Sequence, residues 1–275
     1  MTEMAKPEAK GDGSSQARTL GGRHGLVTGG GRGIGASVAE SLAGLGADLT
    51  LCGRNLDVLE GHAGALREKF GVRVVVATAD VTDAATVQAA FERAAEEISP
   101  PDILINSAGA ARSAPFARTD AALWHEMLDI NLTGAYLCIQ AALPHMIDGG
   151  FGRIVNVAST AGLKGYAYIA AYCAAKHGLI GLTRALAAET ASKGVTVNAV
   201  CPGYTDTDMT RDTIANIVAK TGRTEQEAMA GLTAPNLLGR LIMPEEVAQA
   251  VANLCLPASA AVTGQSILVA GGEIM

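Results

Sequence analysis

Two side chains that could move a proton together lie one helical turn apart in this sequence. Tyr172 and Lys176 are spaced i, i+4, so on a helix they project from one face and can meet a common ligand. Tyr166 and Tyr168 are nearby rivals, but neither is followed by a lysine at this spacing. A free phenol has a pKa near ~10, which a neighbouring ammonium group lowers by roughly 1–3 pH units. The pair therefore predicts a tyrosine, tuned by a lysine, that exchanges a proton with a carbonyl or an alcohol.

A glycine-rich segment between Thr28 and Gly35 could bind a phosphate group. Its sequence, TGGGRGIG, directly follows a short apolar run and precedes a segment compatible with a helix. Glycines at 29, 33 and 35 allow a tight turn and let a pyrophosphate approach the amides at the helix N-terminus, where the dipole favours negative charge. The alternative is a turn that only packs a helix on a strand, but the strand–turn–helix order favours a dinucleotide site.

These motifs lie on a chain in which short apolar runs alternate with longer segments of helical period. This alternation predicts an α/β fold, a doubly wound parallel sheet of seven strands with helices on both faces. Such sheets bind ligands beyond the carboxyl ends of their strands, where most of the motifs fall. The predicted strands are 24–28, 48–52, 73–77, 102–106, 153–158, 195–200 and 266–270.

Composition excludes several classes of protein. With 21 Lys plus Arg against 27 Asp plus Glu and a net charge of −6, the chain has no general attraction to nucleic acid or to an anionic membrane. Its five cysteines are scattered without a C-x-x-C pair, which argues against a disulfide framework or a metal site and suits a reducing cytoplasm. No apolar run reaches membrane-spanning length.

The chain is interpreted as one domain behind a polar tail. Residues 1–20 lack the apolar stretch of a signal peptide, and their Gly, Ser and charge content indicates a flexible N-terminal tail. Residues 21–275 form the predicted single domain, without an internal repeat. Residues 205–240, polar and rich in threonine, are interpreted as an inserted lid.

From residue 22 to 275 the sequence closely resembles the short-chain dehydrogenase/reductase family. The resemblance is carried by the T-G-x-x-x-G-x-G spacing, the Asn106-Ser-Ala-Gly109 segment and the Tyr172-x-x-x-Lys176 pair. It implies an NAD(P)(H)-dependent oxidoreductase with a Rossmann fold that interconverts a ketone and a secondary alcohol. By this resemblance Ser159, thirteen residues before Tyr172, matches the family's serine, which polarises the substrate oxygen, with Thr160 a weaker candidate; the alternative for either is a helix or turn cap.

The resemblance also implies a fourth catalytic residue and a second role for the lysine. Asn131 matches the family's asparagine, which kinks its helix and holds a water leading to the lysine; the alternative is an ordinary buried amide. Lys176 would hold the nicotinamide ribose as well as tune Tyr172.

Further cofactor contacts follow from the same resemblance. Gly53-Arg54 ends the second strand, where NAD-binding folds carry a carboxylate, so Arg54 with Arg32 could clamp a 2′-phosphate unless both are only solvated. NADP(H) is therefore favoured and NAD(H) is the alternative. Asp80 and Val81 match the adenine-binding pair. The complete set of expected cofactor contacts is Gly29, Gly31, Arg32, Gly33, Ile34, Gly35, Arg54, Asp80, Val81, Asn106, Ala108, Gly109, Tyr172, Lys176, Pro202, Gly203, Thr205 and Thr207.

The substrate is the least determined feature. The overall resemblance is closest to 3-oxoacyl thioester (ACP or CoA) reductases and 3-hydroxyacyl-CoA dehydrogenases, and Arg112 could meet a carrier phosphate or be solvated. Ile169-Ala-Ala precedes Tyr172 where those reductases often carry Gln and Asn, which leaves open an alicyclic, steroidal or other apolar alcohol. A non-catalytic dinucleotide-sensing protein is a third hypothesis. The family further implies a homotetramer or homodimer.

Overall fold

The computed structural model describes residues 18–275, and these residues contain a seven-stranded parallel sheet. The strand order is β3-β2-β1-β4-β5-β6-β7, which confirms the predicted doubly wound Rossmann fold. Long apolar runs form strands here because helices cover both faces of the sheet. The strands are β1 His24–Thr28, β2 Asp48–Gly53, β3 Val74–Thr78, β4 Ile103–Asn106, β5 Gly152–Val157, β6 Val195–Pro202 and β7 Ser266–Val269.

Helices form a layer on each side of the sheet. One apolar core packs α1, α2 and α9 against the sheet, and a second packs α3, α5 and α6 against the opposite face. None of the helices in residues 18–275 has the length and hydropathy needed to cross a bilayer. The helices are α1 Gly33–Gly44, α2 Leu56–Phe70, α3 Ala84–Glu97, α4 Ala121–Leu128, α5 Gly134–Asp148, α6 Ala170–Thr190, α7 Asp208–Thr221, α8 Glu225–Thr233 and α9 Pro244–Cys255.

One boundary differs from the sequence-based expectations. Leu20, placed at the end of the flexible tail, is fully buried, and its amide donates to the Leu45 carbonyl. The ordered chain therefore includes residues 18–20, because Leu20 completes the core beside α1; residues 1–17 of the predicted tail lie outside the described part. The segment interpreted as a lid contains the two helices α7 and α8.

Candidate active site

Tyr172 and Lys176 lie on α6, near its N-terminal end, as the i, i+4 spacing predicts. The Lys176 Nζ atom lies 5.7 Å from the centre of the Tyr172 ring and donates to the Val157 carbonyl at 2.8 Å. Ser159 follows β5, and its Oγ accepts from the Ala161 amide at 3.1 Å. An Oγ that accepts this bond still has its own hydrogen, which can donate to the Tyr172 oxygen or to a ligand.

Desolvation shifts the pKa of both titratable groups. Desolvation raises the pKa of the Tyr172 phenol to about 12, against the opposing effect of the Ser159 hydroxyl. Desolvation also lowers the pKa of Lys176, which is 4% exposed, to about 8. The net shift of the Tyr172 pKa is therefore upward, opposite to the shift that a neighbouring ammonium alone would give, because desolvation favours the neutral form of each group.

Asn131 lies in a π-helical turn, Asp129–Thr133, that interrupts the path between α4 and α5. Its amide nitrogen donates to the Ala110 and Met127 carbonyls at 2.9 and 3.0 Å, which fixes the side chain. Beside it is a cavity of about 10 Å³ that Lys176 and Asn106 also line. A volume of this size accommodates about one water molecule. Asn131 and Lys176 thus share a space suited to a bridging water.

The Asn106 side chain offers an acceptor at the same place. Its amide nitrogen donates to Asn156 Oδ1 at 2.9 Å, and Asn156 donates in turn to Thr183 Oγ1. Among the described residues, the Asn106 Oδ1 atom is buried without a hydrogen-bond partner. A buried acceptor without a partner is costly, so this atom is suited to receive a hydrogen bond from a water in the cavity.

The glycine loop leaves its helix N-terminus open to an anion. Arg32, the residue before α1, makes no capping hydrogen bond with its side chain, and the first turn of α1 contains no acidic residue. Gly29 and Gly33 adopt φ values of 67° and 56°, which favour glycine. A Cβ at Gly35 would overlap the Gly29 carbonyl oxygen, so glycine is required for the turn to pack against the helix.

Two loops approach this glycine turn directly, and a third segment packs against one of them. A Cβ added at Gly29 would lie 3.2 Å from the Ala108 amide nitrogen, and one added at Gly33 would lie 3.3 Å from the Thr207 methyl. One added at Gly109 would lie 2.9 Å from Asn131 Oδ1. The structure therefore brings the loops after β1, β4 and β6 together with the π-helical turn. Gly31 and Gly203 lie within the same loops, Ile34 lies in the first turn of α1, and Pro202 ends β6.

The β6 loop and Thr28 add two details that the sequence did not indicate. Thr205 is 4% exposed and donates to the Gly203 carbonyl at 3.0 Å, so its side chain serves its own loop rather than the open site. Thr28 Oγ1 accepts from the amides of Ser107 and Ala108 at 3.0 and 3.1 Å, which fixes the loop after β4. In the sequence, the only indication that Thr28 fixes this loop is its position directly before the first glycine.

Charged residues occupy the ends of β2 and β3. Arg54 is exposed and lies close enough to Asp80 to lower the pKa of that carboxyl, after the larger effect of hydrogen bonds from Thr82. Arg32 is also exposed and lies 3.8 Å from Asp208 at the start of α7. Val81, beside Asp80, is buried against α5. Arg112, considered for a carrier phosphate, instead pairs with Glu126 at 2.9 Å.

Comparison with known proteins decides the family. Residues 23–217 match the protein family described as short chain dehydrogenase. The chain is a short-chain dehydrogenase. It is similar to cis-4-hydroxycyclohexanecarboxylate dehydrogenase of Sinomonas cyclohexanicum, at 41% identity over 90% of this chain and 94% of the relative. It is also similar to 3-oxoacyl-(acyl-carrier-protein) reductase of Aquifex aeolicus, at 37% identity over 92% of this chain and 98% of the relative.

A solved relative confirms the fold of this short-chain dehydrogenase. A crystal structure of an actinorhodin polyketide ketoreductase variant with NADPH superposes with a TM-score of 0.87 and 37% identity, over 91% of this chain and 97% of that one. The protein is therefore an oxidoreductase that acts on CH–OH groups with NAD(P). The open N-terminus of α1 and the glycines beneath it fit the pyrophosphate of such a cofactor.

Proposed function

We propose that this short-chain dehydrogenase uses NADPH to reduce a 3-oxoacyl thioester of ACP or CoA to the 3-hydroxyacyl form. The observation that carries the proposal is the Tyr172 phenol, whose pKa desolvation raises to about 12, beside the Ser159 hydroxyl, because ketone reduction needs a proton donor next to the oxygen. The choice of a 3-oxoacyl thioester on an acyl carrier as the substrate is supported by the similarity to the Aquifex reductase.

The chain's own residues supply the proton and hold the oxygen. NADPH, when bound, supplies the hydride. Ser159 Oγ donates a hydrogen bond to the substrate oxygen and stabilises the charge that develops there. Tyr172 gives its proton to the same oxygen. Lys176 uses one N–H on the Val157 carbonyl and has two left, one for the ribose hydroxyls and one for a water beside Asn131 and Asn106.

Replacing Tyr172 by Phe tests the proton donor. We expect turnover to fall by about 10²–10⁴-fold, the usual contribution of a positioned acid, while NADPH still binds. NADPH binding is measured by fluorescence, and Tyr136→Phe, which removes a hydroxyl from an exposed tyrosine, is the matched control. Near-normal turnover of Tyr172→Phe would contradict the assignment. No turnover by the wild type on any ketone, with tight NADPH binding, would favour the dinucleotide-sensing alternative.

Arg54 supports the preference for NADPH over NADH. Its exposed guanidinium at the end of β2 stands where a 2′-phosphate is read, and a charged hydrogen bond contributes about 1.5–3 kcal/mol. Arg54→Ala is expected to raise the KM for NADPH about tenfold or more and leave that for NADH unchanged. Arg93→Ala, at an exposed α3 arginine, is the control. An equal effect on both cofactors would contradict this role.

An alicyclic ketone is the second candidate substrate. The apolar Ile169, Ala170 and Ala171 lead into Tyr172, and the Sinomonas relative acts on a cyclohexane ring according to its name. Initial rates with acetoacetyl-CoA, an acetoacetyl carrier protein and 4-oxocyclohexanecarboxylate, each with NADPH and NADH, separate the candidates. A higher kcat/KM for the cyclic ketone than for either thioester would reverse the order of the two proposals.

The assembly and location of the protein belong to the same proposal. By the family resemblance we expect a homotetramer or a homodimer in the cytoplasm. Light scattering coupled to size exclusion measures the mass in solution, and a monomer at micromolar concentration would contradict this expectation.

A further inference from the structure

A carboxylate near the C-terminus is buried against the catalytic serine turn. The Glu273 side chain is 3% exposed and pairs with Lys164 at 3.1 Å, and it also forms a hydrogen bond with the Tyr166 hydroxyl. The turn Ala270–Glu273 places it there through two successive left-handed glycines, Gly271 at φ 59° and Gly272 at φ 82°. Two such glycines allow the chain to fold back on itself, which other residues do at a cost.

The Tyr166 hydroxyl connects this carboxylate to the serine turn. It lies 2.7 Å from Thr160 Oγ1, and Thr160 is the buried residue directly after Ser159. A phenol carries one hydrogen, and a carboxylate only accepts, so Tyr166 donates to Glu273 and accepts from the Thr160 hydroxyl. The pKa of Tyr166 is raised by burial and by Glu273 and lowered by Thr160, as this arrangement requires.

Glu273 also contacts the other walls of the site. A Cβ added at Gly203, in the loop after β6, would lie 3.0 Å from Glu273 Oε2. The preceding Gly271 carbonyl accepts from the Leu237 amide at 2.9 Å, at the end of the segment interpreted as a lid. The Glu273 side chain thus lies between the serine turn and the β6 loop, and the turn that carries it meets the C-terminal end of that segment through its backbone.

We propose that Glu273 is a positioning residue that fixes the direction of the Ser159 hydroxyl through Tyr166 and Thr160. Ser159 begins a 3-10 turn, Thr160–Gly162, whose Ala161 amide holds the serine oxygen. A shift of this turn moves the donor away from the substrate oxygen. Displacement of a catalytic group by about 1 Å costs up to about 10²-fold in rate. The proposal rests on the role of Ser159 in the proposed function.

A double-mutant cycle tests this coupling. Glu273→Ala is expected to lower kcat about tenfold, with the NADPH dissociation constant unchanged. Glu273→Gln retains an acceptor for Tyr166 and is expected to lower kcat less than Glu273→Ala does. The exposed Glu245→Ala on α9 is the control and is expected to retain full kcat. In a Ser159→Ala background, Glu273→Ala is expected to have no further effect, because the donor that it positions is gone.

Tyr166→Phe provides a second, milder probe that removes only one hydroxyl. It is expected to lower kcat as Glu273→Ala does, and the two changes together should cost no more than either alone. The assay uses whichever ketone the wild type reduces fastest, so failure of the thioester assignment changes only the substrate. A kcat of Glu273→Ala equal to that of Glu245→Ala, or a tenfold loss that persists in Ser159→Ala, overturns the positioning role.

Discussion

Replacing Lys176 by Met should stabilise this enzyme while removing its activity. The ammonium group is 4% exposed, and desolvation lowers its pKa from 10.5 to about 8. Since each pH unit corresponds to about 1.4 kcal/mol, keeping this lysine charged costs the fold about 3 kcal/mol at neutral pH. The lost hydrogen bond to the Val157 carbonyl offsets about 1 kcal/mol. We therefore expect the free energy of unfolding to rise by about 2 kcal/mol at pH 7.

The sign of the pH dependence distinguishes the cost of the Lys176 charge from any change in stability that comes from better packing of the methionine side chain that replaces it. Below pH 8 both the folded and the unfolded chain hold the Lys176 proton, and the folded chain bears the full cost. Between pH 8 and 10.5 the folded chain releases the proton first, so the wild type gains stability as the pH rises. The advantage of Lys176→Met should therefore shrink across this window.

Urea denaturation at pH 7 and pH 10 measures the difference directly. Lys193→Met, at an exposed lysine after α6, is the control and should change stability little at either pH. A Lys176→Met variant that is less stable than the wild type at pH 7, or a difference independent of pH, would refute the reasoning from burial.

Two further predictions concern backbone geometry. Gly35→Ala places a Cβ 2.8 Å from the Gly29 carbonyl carbon, so the glycine turn must move. We therefore expect the affinity for NADPH, measured by fluorescence titration, to fall by at least about tenfold. The control is Gly61→Ala on α2, where an added Cβ has nothing within 4 Å, and it should leave the affinity for NADPH unchanged. Tyr168 is 66% exposed and has a φ of 69°, which costs a residue with a Cβ about 1 kcal/mol. Tyr168→Gly should thus raise the free energy of unfolding by up to that amount, whereas Tyr168→Ala, which keeps the Cβ, should not; equal stabilities of the two variants would contradict the strain.

The strands were predictable because each is a continuous apolar run that must be buried on both faces. β1 begins and ends at the predicted residues, whereas β6 continues two residues further, to Pro202. Its extension pairs Cys201 and Pro202 with Leu268 and Val269, more than sixty residues later in the chain. Composition within the run itself cannot show such a partner.

The site was predictable where spacing within one element decided it. Tyr172 and Lys176 share a helix, so four residues of sequence place them on one face. The contact between Tyr166 and Glu273 joins residues 107 positions apart, and neither has a neighbour whose type reveals the pairing. The upward shift of the Tyr172 pKa was not foreseen for a similar reason, because it comes mainly from desolvation, which the spacing of Tyr172 and Lys176 cannot reveal.

Burial of both titratable groups has one functional consequence. A phenol with a pKa of about 12 holds its proton at every physiological pH, so it can serve ketone reduction without a preceding proton transfer. Alcohol oxidation needs the phenolate, which the same burial disfavours. Lys176 is then the group that titrates near pH 8, and loss of its positive charge weakens the hydrogen bonds that it donates to the ribose hydroxyls. At neutral pH Tyr172 is therefore protonated and ready to donate to a ketone oxygen, and the desolvation of Lys176 costs the stability that Lys176→Met should recover.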